Sequence, residues 1–288
     1  MTAKTRADLV AEIARRYGHY HRSTATGGST TTIVNTTGLY EPDDFYVGHY
    51  AYIVTDAGGA HAAPEGQERP VTDYDQSTGT LTVDPAFSAA VASGDTYELL
   101  ALKRADIAAA INAAIRQAGE TWLAPTVDTT TVTIADDDYD YSLPVGVVRL
   151  LGVMVRGDTD EAWRYVQGRQ WSVGGTPGAQ VLYFDTLEGL EAGDLVRLDY
   201  LARPGELSAD SSSFGIGEPA ERELTEFVTE MAVGWLHKAA ASARAGDFRE
   251  HLTLAQMAEE RAERIRAMAA RWHGRGTVRT ARWARARG

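Results

Sequence analysis

The sequence predicts an α+β protein. A helical core (an N-terminal helix, a central alanine-rich helix and a C-terminal αα-hairpin) carries two antiparallel β-rich modules and an extended C-terminal tail. Three observations predict it. Apolar residues recur at helical spacing in three separate blocks. The two stretches between those blocks break into short β-branched or aromatic runs divided by Gly, Asp and Ser. Residues 261–288 then change composition, with nine arginines and a single acid, Glu263. On this reading the chain divides into an N-terminal helix at 1–22, a first β-rich module at 23–102, and a central helix with linker at 103–127. A second β-rich module follows at 128–210, a helical hairpin at 211–273 and an extended basic tail at 274–288.

The first helix is read from Thr5 to Tyr17. Thr5-Arg-Ala-Asp8 has the capping-box layout with Asp8 in the place of Glu or Gln, Leu9, Val10 and Ile13 give an apolar face, and Gly18 stops the helix. Ser23–Thr32 is rich in Ser, Thr and Gly and reads as a linker. Thr31–Val34, Ala51–Val54, Thr80–Val83 and Tyr97–Leu100 read as strands, with Asp73–Gly79 as a hairpin loop. The period then changes: Ile107, Ile111 and Ile115 recur every four residues among alanines, which predicts a helix over Lys103–Gly119.

Thr131–Ile134, Val147–Val155, Val181–Phe184 and Leu195–Leu201 are the best strands of the second module, with Pro144, Pro177 and Pro204 at their limits. Ser208–Gly217 reads as a polar loop. Glu218-Pro-Ala-Glu opens a helix with an early proline and an acidic first turn. Leu224, Phe227, Val228, Met231, Trp235 and Leu236 form its apolar face; Gly246 breaks it, and Asp247 caps a second helix to about Trp272. One internal echo is present. Leu81-Thr-Val-Asp84 leads to Gly94-Asp95 and a strand, and Leu182-Tyr-Phe-Asp185 leads to Gly193-Asp194 and a strand. Duplication of a module and two ordinary hairpin corners both fit it.

Composition bounds the chemistry. The chain of 288 residues is 44% hydrophobic, enough for a sizeable core, and has no cysteine, which removes disulfides, thiolate metal sites and cysteine nucleophiles. No run of apolar residues is long enough to cross a membrane, and MTAKTRADLV lacks the apolar core of a secretory signal, so neither is expected. The net charge of −12 is uneven: residues 261–288 carry +8 and the rest −20. Asymmetry of this kind marks an interaction tail.

The common phosphate-binding, nucleophile-elbow and zinc-protease motifs are absent. No catalytic, cofactor or metal residue is expected, and no enzyme activity; a hydrolase would need a convergent polar pocket. His19-Tyr-His21 could suit a metal on a strand but reads as a surface linker pair. Asp136–Asp140 could hold a hard cation but reads as a solvated acidic turn. Trp122, Trp163, Tyr165 and Trp171 could form a sugar-binding platform; core or inter-subunit contact is the plainer reading. The tail offers Arg275, Arg279, Arg282, Trp283, Arg285 and Arg287, which could contact DNA phosphates, dock on an acidic partner with Trp283 as anchor, or stay solvated.

Taken together, the N-terminal helix leading into a β-domain, the segment Val71–Val83 with Pro85-Ala-Phe87 and Gly94–Glu98, the helix Ala105–Ile115 followed by Tyr141-Ser-Leu-Pro144, and the C-terminal helical pair with its tail resemble the head-to-tail connector adaptors of tailed bacteriophages, a family that includes tail accessory factors. The likeness covers most of the chain in style more than in strict motif. It implies a virion protein, assembled in the host cytoplasm, that forms a ring of typically twelve copies beneath the portal protein. It implies a downstream tail or stopper protein as a second partner, and genomic DNA passing through the channel during ejection without specific readout. The six tail residues would then contact the portal, and Ile107, Ile111, Ile115, Phe227, Met231 and Trp235 would lie between subunits. No cofactor and no membrane partner is implied. The competing reading is another tail or fibre component with sugar-binding β-modules.

Overall fold

A computed structural model describes residues 4–58, 64–119, 121–168, 170–176, 179–216, 219–243 and 247–285; for 243 and 272–285 it describes the backbone. The described chain has four helices and three antiparallel sheets. The helices are α1 (Arg6–Tyr17), α2 (Arg104–Ala118), α3 (Ala220–Ala243) and α4 (Phe248–Arg285). The first module holds β1 (Tyr20–Thr24), β2 (Gly27–Gly28), β3 (Thr32–Val34), β4 (Tyr50–Thr55), β5 (Glu68–Asp75), β6 (Thr80–Val83) and β7 (Thr96–Leu100). The second holds β8 (Ala124–Asp128), β9 (Asp140–Ser142), β10 (Val147–Arg156), β11 (Arg164–Tyr165), β12 (Trp171–Thr176), β13 (Ala179–Phe184) and β14 (Leu195–Ala202). The α+β architecture is as the sequence predicts.

The helical core forms where the periodicity places it. At α1 the capping box is complete: the Thr5 side chain accepts from the Asp8 N–H while the Asp8 carboxylate accepts from the Thr5 N–H. Leu9, Val10 and Ile13 are fully buried beside Ile107, Ile111 and Ile115 of α2 and Leu224, Phe227 and Met231 of α3. Trp122, just after α2, lies against Phe227 with ring centroids 4.9 Å apart. Gly234 lets α3 and α4 approach closely, since a Cβ there would sit 3.3 Å from the Ala255 carbonyl oxygen and 3.1 Å from Glu259 Cγ. At that register α3 runs out near Arg271, so residues 272–285 of α4 extend about 21 Å past their neighbour at 1.5 Å per residue. The sequence suggests an extended tail from Gly274; here the backbone is helical to Arg285. Good helix formers, arginine and alanine, outnumber the two glycines at 274 and 276.

The first module is one seven-stranded sheet in the order β1-β7-β4-β5-β6-β3-β2. The sheet turns on β5, whose register shifts between Val71 and Asp73; its first half pairs with β4 and its second with β6. The two halves close over a single core that includes Ile33, Ile53, Val71, Tyr74, Leu81 and Tyr97. Asn35, fully buried, stitches them together. Its Nδ2 donates to Ser23 Oγ and to the Tyr97 hydroxyl, both at 2.8 Å.

The second module pairs as β11-β10-β14-β8 and β12-β13-β9 around its own core of Val153, Leu182, Phe184, Val196 and Leu198. Its connectivity repeats that of the first module. With β2, which has no counterpart, set aside and β11 and β12 together standing for β5, both run from the first strand to the last, then through β4 or β10, β5 or its two parts, and β6 or β13, to β3 or β9. The echoed corners agree bond for bond. Gly94 donates to the Ala25 carbonyl (2.9 Å) and Ala25 to that of Asp95 (2.8 Å); Gly193 donates to the Ile134 carbonyl and Ile134 to that of Asp194, both at 2.9 Å. Both glycines have φ near +100°, at 100° and 96°, a region that favours glycine. The duplication reading is therefore the one the topology supports. The chain is two helix-plus-module units closed by a hairpin.

Several boundaries move. β1 falls in the expected helix-to-linker junction and β8 in the expected linker after α2, and neither shows a long apolar run. Thr131–Ile134, expected as a strand, contributes an isolated bridge from Thr133 to Leu195 beyond β8. Asp73–Asp75, expected in a loop, ends β5, leaving the turn to 76–79.

Candidate functional site

Three polar clusters and one helical arm are the places where chemistry or recognition could reside. The most connected lies where the first module meets the helices. Arg104 opens α2 at 8% exposure, and its guanidinium bonds Glu98 of β7, which is 1% exposed, and Asp210 at 2.9 Å. Asp210 also receives Arg6 of α1 at 2.8 Å, Tyr20 donates to Glu98 at 2.8 Å, and the Arg104 N–H donates to Glu68 at 2.6 Å. The Arg104 guanidinium stacks over Tyr52 at 4.4 Å from the ring centroid. Burial pushes the Asp210 carboxyl up, but the bonds and charges of Arg6 and Arg104 outweigh this and hold it below the usual range. The Tyr20 hydroxyl is pushed up to about 12, first by burial and then by its bond to Glu98.

A groove of about 460 Å³ opens over this cluster, lined by Arg6, Tyr52, Glu68, Arg104 and Asp210 among others. Arg6 and Arg104 are both paired with Asp210, and Glu68 is taken up by the Arg104 backbone N–H. That is the chemistry of a clasp fixing module to helices, since each buried charge has an opposite partner and hydrogen bonds. None of these residues stood out in the sequence; Lys103-Arg104 at a helix start reads as an ordinary solvated pair.

The second cluster corrects an expectation. His19 and His21 are not surface linker residues: His21 lies in β1 with His19 just before it, both half-buried. The ring of His19 meets that of His49 edge-on at 5.1 Å and those of Phe45 and Tyr46 at 5.4 and 5.5 Å. His19 and His49 flank β7, because Tyr20 and Tyr50 both oppose Leu100. Burial lowers the pKa of all three imidazoles, and the proximity of His19 lowers those of His21 and His49 further. Among the described residues no group of three or more His, Asp or Glu side chains is placed to hold a metal ion. A third cluster joins the helices: His237 Nδ1 and His251 Nδ1 lie 3.0 Å apart, with Tyr17 stacked on His237 at 4.7 Å.

Asp136–Asp140 is a turn, with Asp137 at φ +56° and Asp140 opening β9. The four aromatics considered for sugar binding disperse. Trp122 is in the helical core, Trp163 lies under Arg156 at 4.4 Å, Trp171 packs against the second core, and Tyr165 stands exposed on β11.

The expected inter-subunit set is also corrected. Ile107, Ile111, Ile115, Phe227 and Met231 are buried within this chain, and Trp235 is partly buried against the same core. The apolar faces of the first five are consumed by α1, α2 and α3 packing on one another, and Trp235 alone of the set keeps part of its surface exposed. Of the expected portal-contact set, residues 275, 279, 282, 283 and 285 lie on the helical extension of α4, and Arg287 lies outside the described residues. Acid is concentrated in the modules: residues 19–102 hold eleven acids and two arginines, and residues 124–202 thirteen acids and five arginines. No helix among the described residues is long and apolar enough to cross a membrane. No family model matches the chain, and no curated protein matches it.

Proposed function

We propose that this chain is a structural adaptor of a phage head-to-tail connector, without catalytic activity. Twelve copies form a ring beneath the portal protein, join capsid to tail, receive a downstream tail or stopper protein, and let genomic DNA pass without specific readout. The observation that supports this reading best is the division of charge and form. Two acidic β-modules flank a closed helical core, from which a basic helical arm reaches about 21 Å past α3. An acidic body repels DNA at long range and so suits a channel wall. A basic arm set apart from that body suits an acidic partner surface, with Trp283 as the large aromatic residue towards its far end.

Negative-stain microscopy of the purified chain, alone and mixed with a portal, tests the reading. Rings seated on the portal, lost when residues 274–288 are removed, are expected. A truncated protein that docks at full occupancy removes the arm's role, and a protein that never docks removes the adaptor reading.

A further inference from the structure

α4 presents two lines of side chains with different fates. One, Ala255, Ala258, Ala262 and Ala269, is buried in the helical core, where α4 packs on α3. The other runs through Leu254, Met257, Arg261, Arg264, Met268 and Arg271, and all six are exposed. Its spacing alternates three and four residues, the 3.5-residue repeat of a helix seam made to be covered. Met257 and Met268 are 47% and 55% exposed. Methionine and arginine have long, adaptable stems that suit a mixed apolar and charged contact. Among the described residues Arg264 pairs with Glu260 alone, a surface pair at 3.5 Å that contributes little.

A surface of opposite charge and similar apolar content occurs elsewhere on the chain. The first module joins β3 to β4 through fifteen residues, 35–49, whereas the second makes the equivalent join, β9 to β10, through four, 143–146. The fold therefore closes without most of the longer loop, and a long ordered loop of that kind is where recognition tends to reside. Tyr40, Phe45 and Val47 on it are exposed, at 72%, 42% and 45%. Glu41, Asp43 and Asp44 lie among them, and exposed Asp73 of β5 is close by in chain position to the anchoring turn. The loop is held in place: Asp43 accepts from the Gln76 N–H at 2.7 Å, Gln76 Nε2 donates to the Tyr40 carbonyl at 3.0 Å, and the Asp44 N–H donates to the Tyr74 carbonyl at 3.0 Å. A pre-fixed loop loses little entropy on docking.

We propose that the Leu254–Arg271 line of α4 in one copy docks on the Tyr40–Val47 loop of a second copy of this chain. Charge sign and exposed apolar residues match across the two patches. The patches differ, so each copy gives one and receives one, a head-to-tail contact that closes into a ring when the rotation allows. This deepens the ring reading above and rests on it.

Sedimentation velocity of the full-length protein, without portal, tests it. Association is expected at 50 mM salt and should weaken at least about tenfold at 500 mM, as screening predicts. Among the described residues the side chains of Glu41, Asp73 and Arg261 make no hydrogen bond or ion pair within the chain, and Arg264 has only the exposed pair with Glu260, so charge reversal at these positions breaks no buried contact. The pair Arg261→Glu with Arg264→Glu, and separately Glu41→Arg with Asp73→Arg, should each weaken association about a hundredfold. An equal mixture of the two variants should associate again, because an alternating ring pairs reversed with reversed and native with native. Wild-type protein that stays monomeric at low salt, or variants that associate as wild type does, overturns the proposal. So does a mixture of folded variants, checked by circular dichroism, that fails to re-associate. Portal docking, scored by microscopy, reads the adaptor function separately: docking with unaltered assembly in the variants retires the contact alone, and reversible self-association with no docking retires the adaptor alone.

Discussion

Asp95 and Asp194 make the same turn-closing hydrogen bond in two separate cores: Oδ2 of each accepts the backbone N–H three residues earlier, from Ala92 at 2.8 Å and from Glu191 at 3.1 Å. Each has a further contact: Asp95 Oδ1 accepts the Ala57 N–H at 2.8 Å, and Asp194 Oδ2 accepts Arg164 Nη2 at the longer distance of 3.3 Å, from a half-exposed side chain. Replacing either by alanine removes hydrogen bonds to a charged acceptor, each about 1.5–3 kcal/mol. Asp95→Ala should unfold at lower denaturant than Asp194→Ala in equilibrium urea titrations. Equal losses would mean that the Ala57 bond contributes no more than the Arg164 contact.

The clasp between the first module and the helices should depend on its charges being removed together. Arg104→Met leaves Glu98 buried with only the Tyr20 hydroxyl and a longer contact to Arg22 at 3.6 Å. Breaking such a pair costs about 3–5 kcal/mol. Adding Glu98→Gln should recover part of that loss. A double variant less stable than Arg104→Met in the same titration would contradict the assignment.

Stability should fall on mild acidification. His19, His21, His49 and His237 all have folded pKa values below the ordinary 6.5, chiefly because burial disfavours the charged ring. The unfolded chain takes up these protons first, so the stabilisation is complete above about pH 6.5 and is lost as pH falls through the folded values. Glu41 opposes this near His19 and His21, and Glu250 near His237. Thermal midpoints measured from pH 7.5 to 5 should decline, and His49→Gln should flatten the decline. A flat profile in the wild type would remove the argument.

Gly79 closes the β5–β6 turn at φ +61°, and a Cβ there would sit 2.5 Å from the Asn35 carbonyl oxygen. Gly79→Ala therefore adds a backbone penalty and a clash beside the Asn35 stitch, about 1–3 kcal/mol in all. Gly48, also at positive φ but with open space around it, should cost less when changed to alanine. Thermal unfolding of the two variants checks the order.

Much of the architecture was legible because it rests on local periods. Thr5 and Asp8 announce the start of α1, the isoleucine spacing marks α2, and Thr80–Val83 matches β6 residue for residue. What stayed hidden depends on contacts distant in sequence. His19 becomes half-buried only because residues 45–49 fold over it, and Arg104 becomes a clasp only because Asp210 returns to it. The isoleucines of α2 show why an apolar stripe does not name its partner. Ile107, Ile111 and Ile115 fit a neighbouring subunit as well as the chain's own α3, and the spacing is identical in both cases. The repeat was visible as a faint echo because the two corners keep Gly-Asp for a backbone reason while the strands around them diverged.

The treatment of one strand separates the two modules mechanically. In the first, Glu68–Asp75 runs unbroken through both halves of the sheet, so changing the angle between the halves must bend that strand. In the second, the same path is divided into Arg164–Tyr165 and Trp171–Thr176, and Val166, bonded to the Val153 carbonyl at 2.9 Å and buried in the core, sits at the division. The first module is a braced frame. In the second, the two sheets are tied instead by the core they share, with Val166 part of it, and the Gln170 carbonyl, which accepts the Asp185 N–H at 2.8 Å, carries the β12–β13 pairing up to the division.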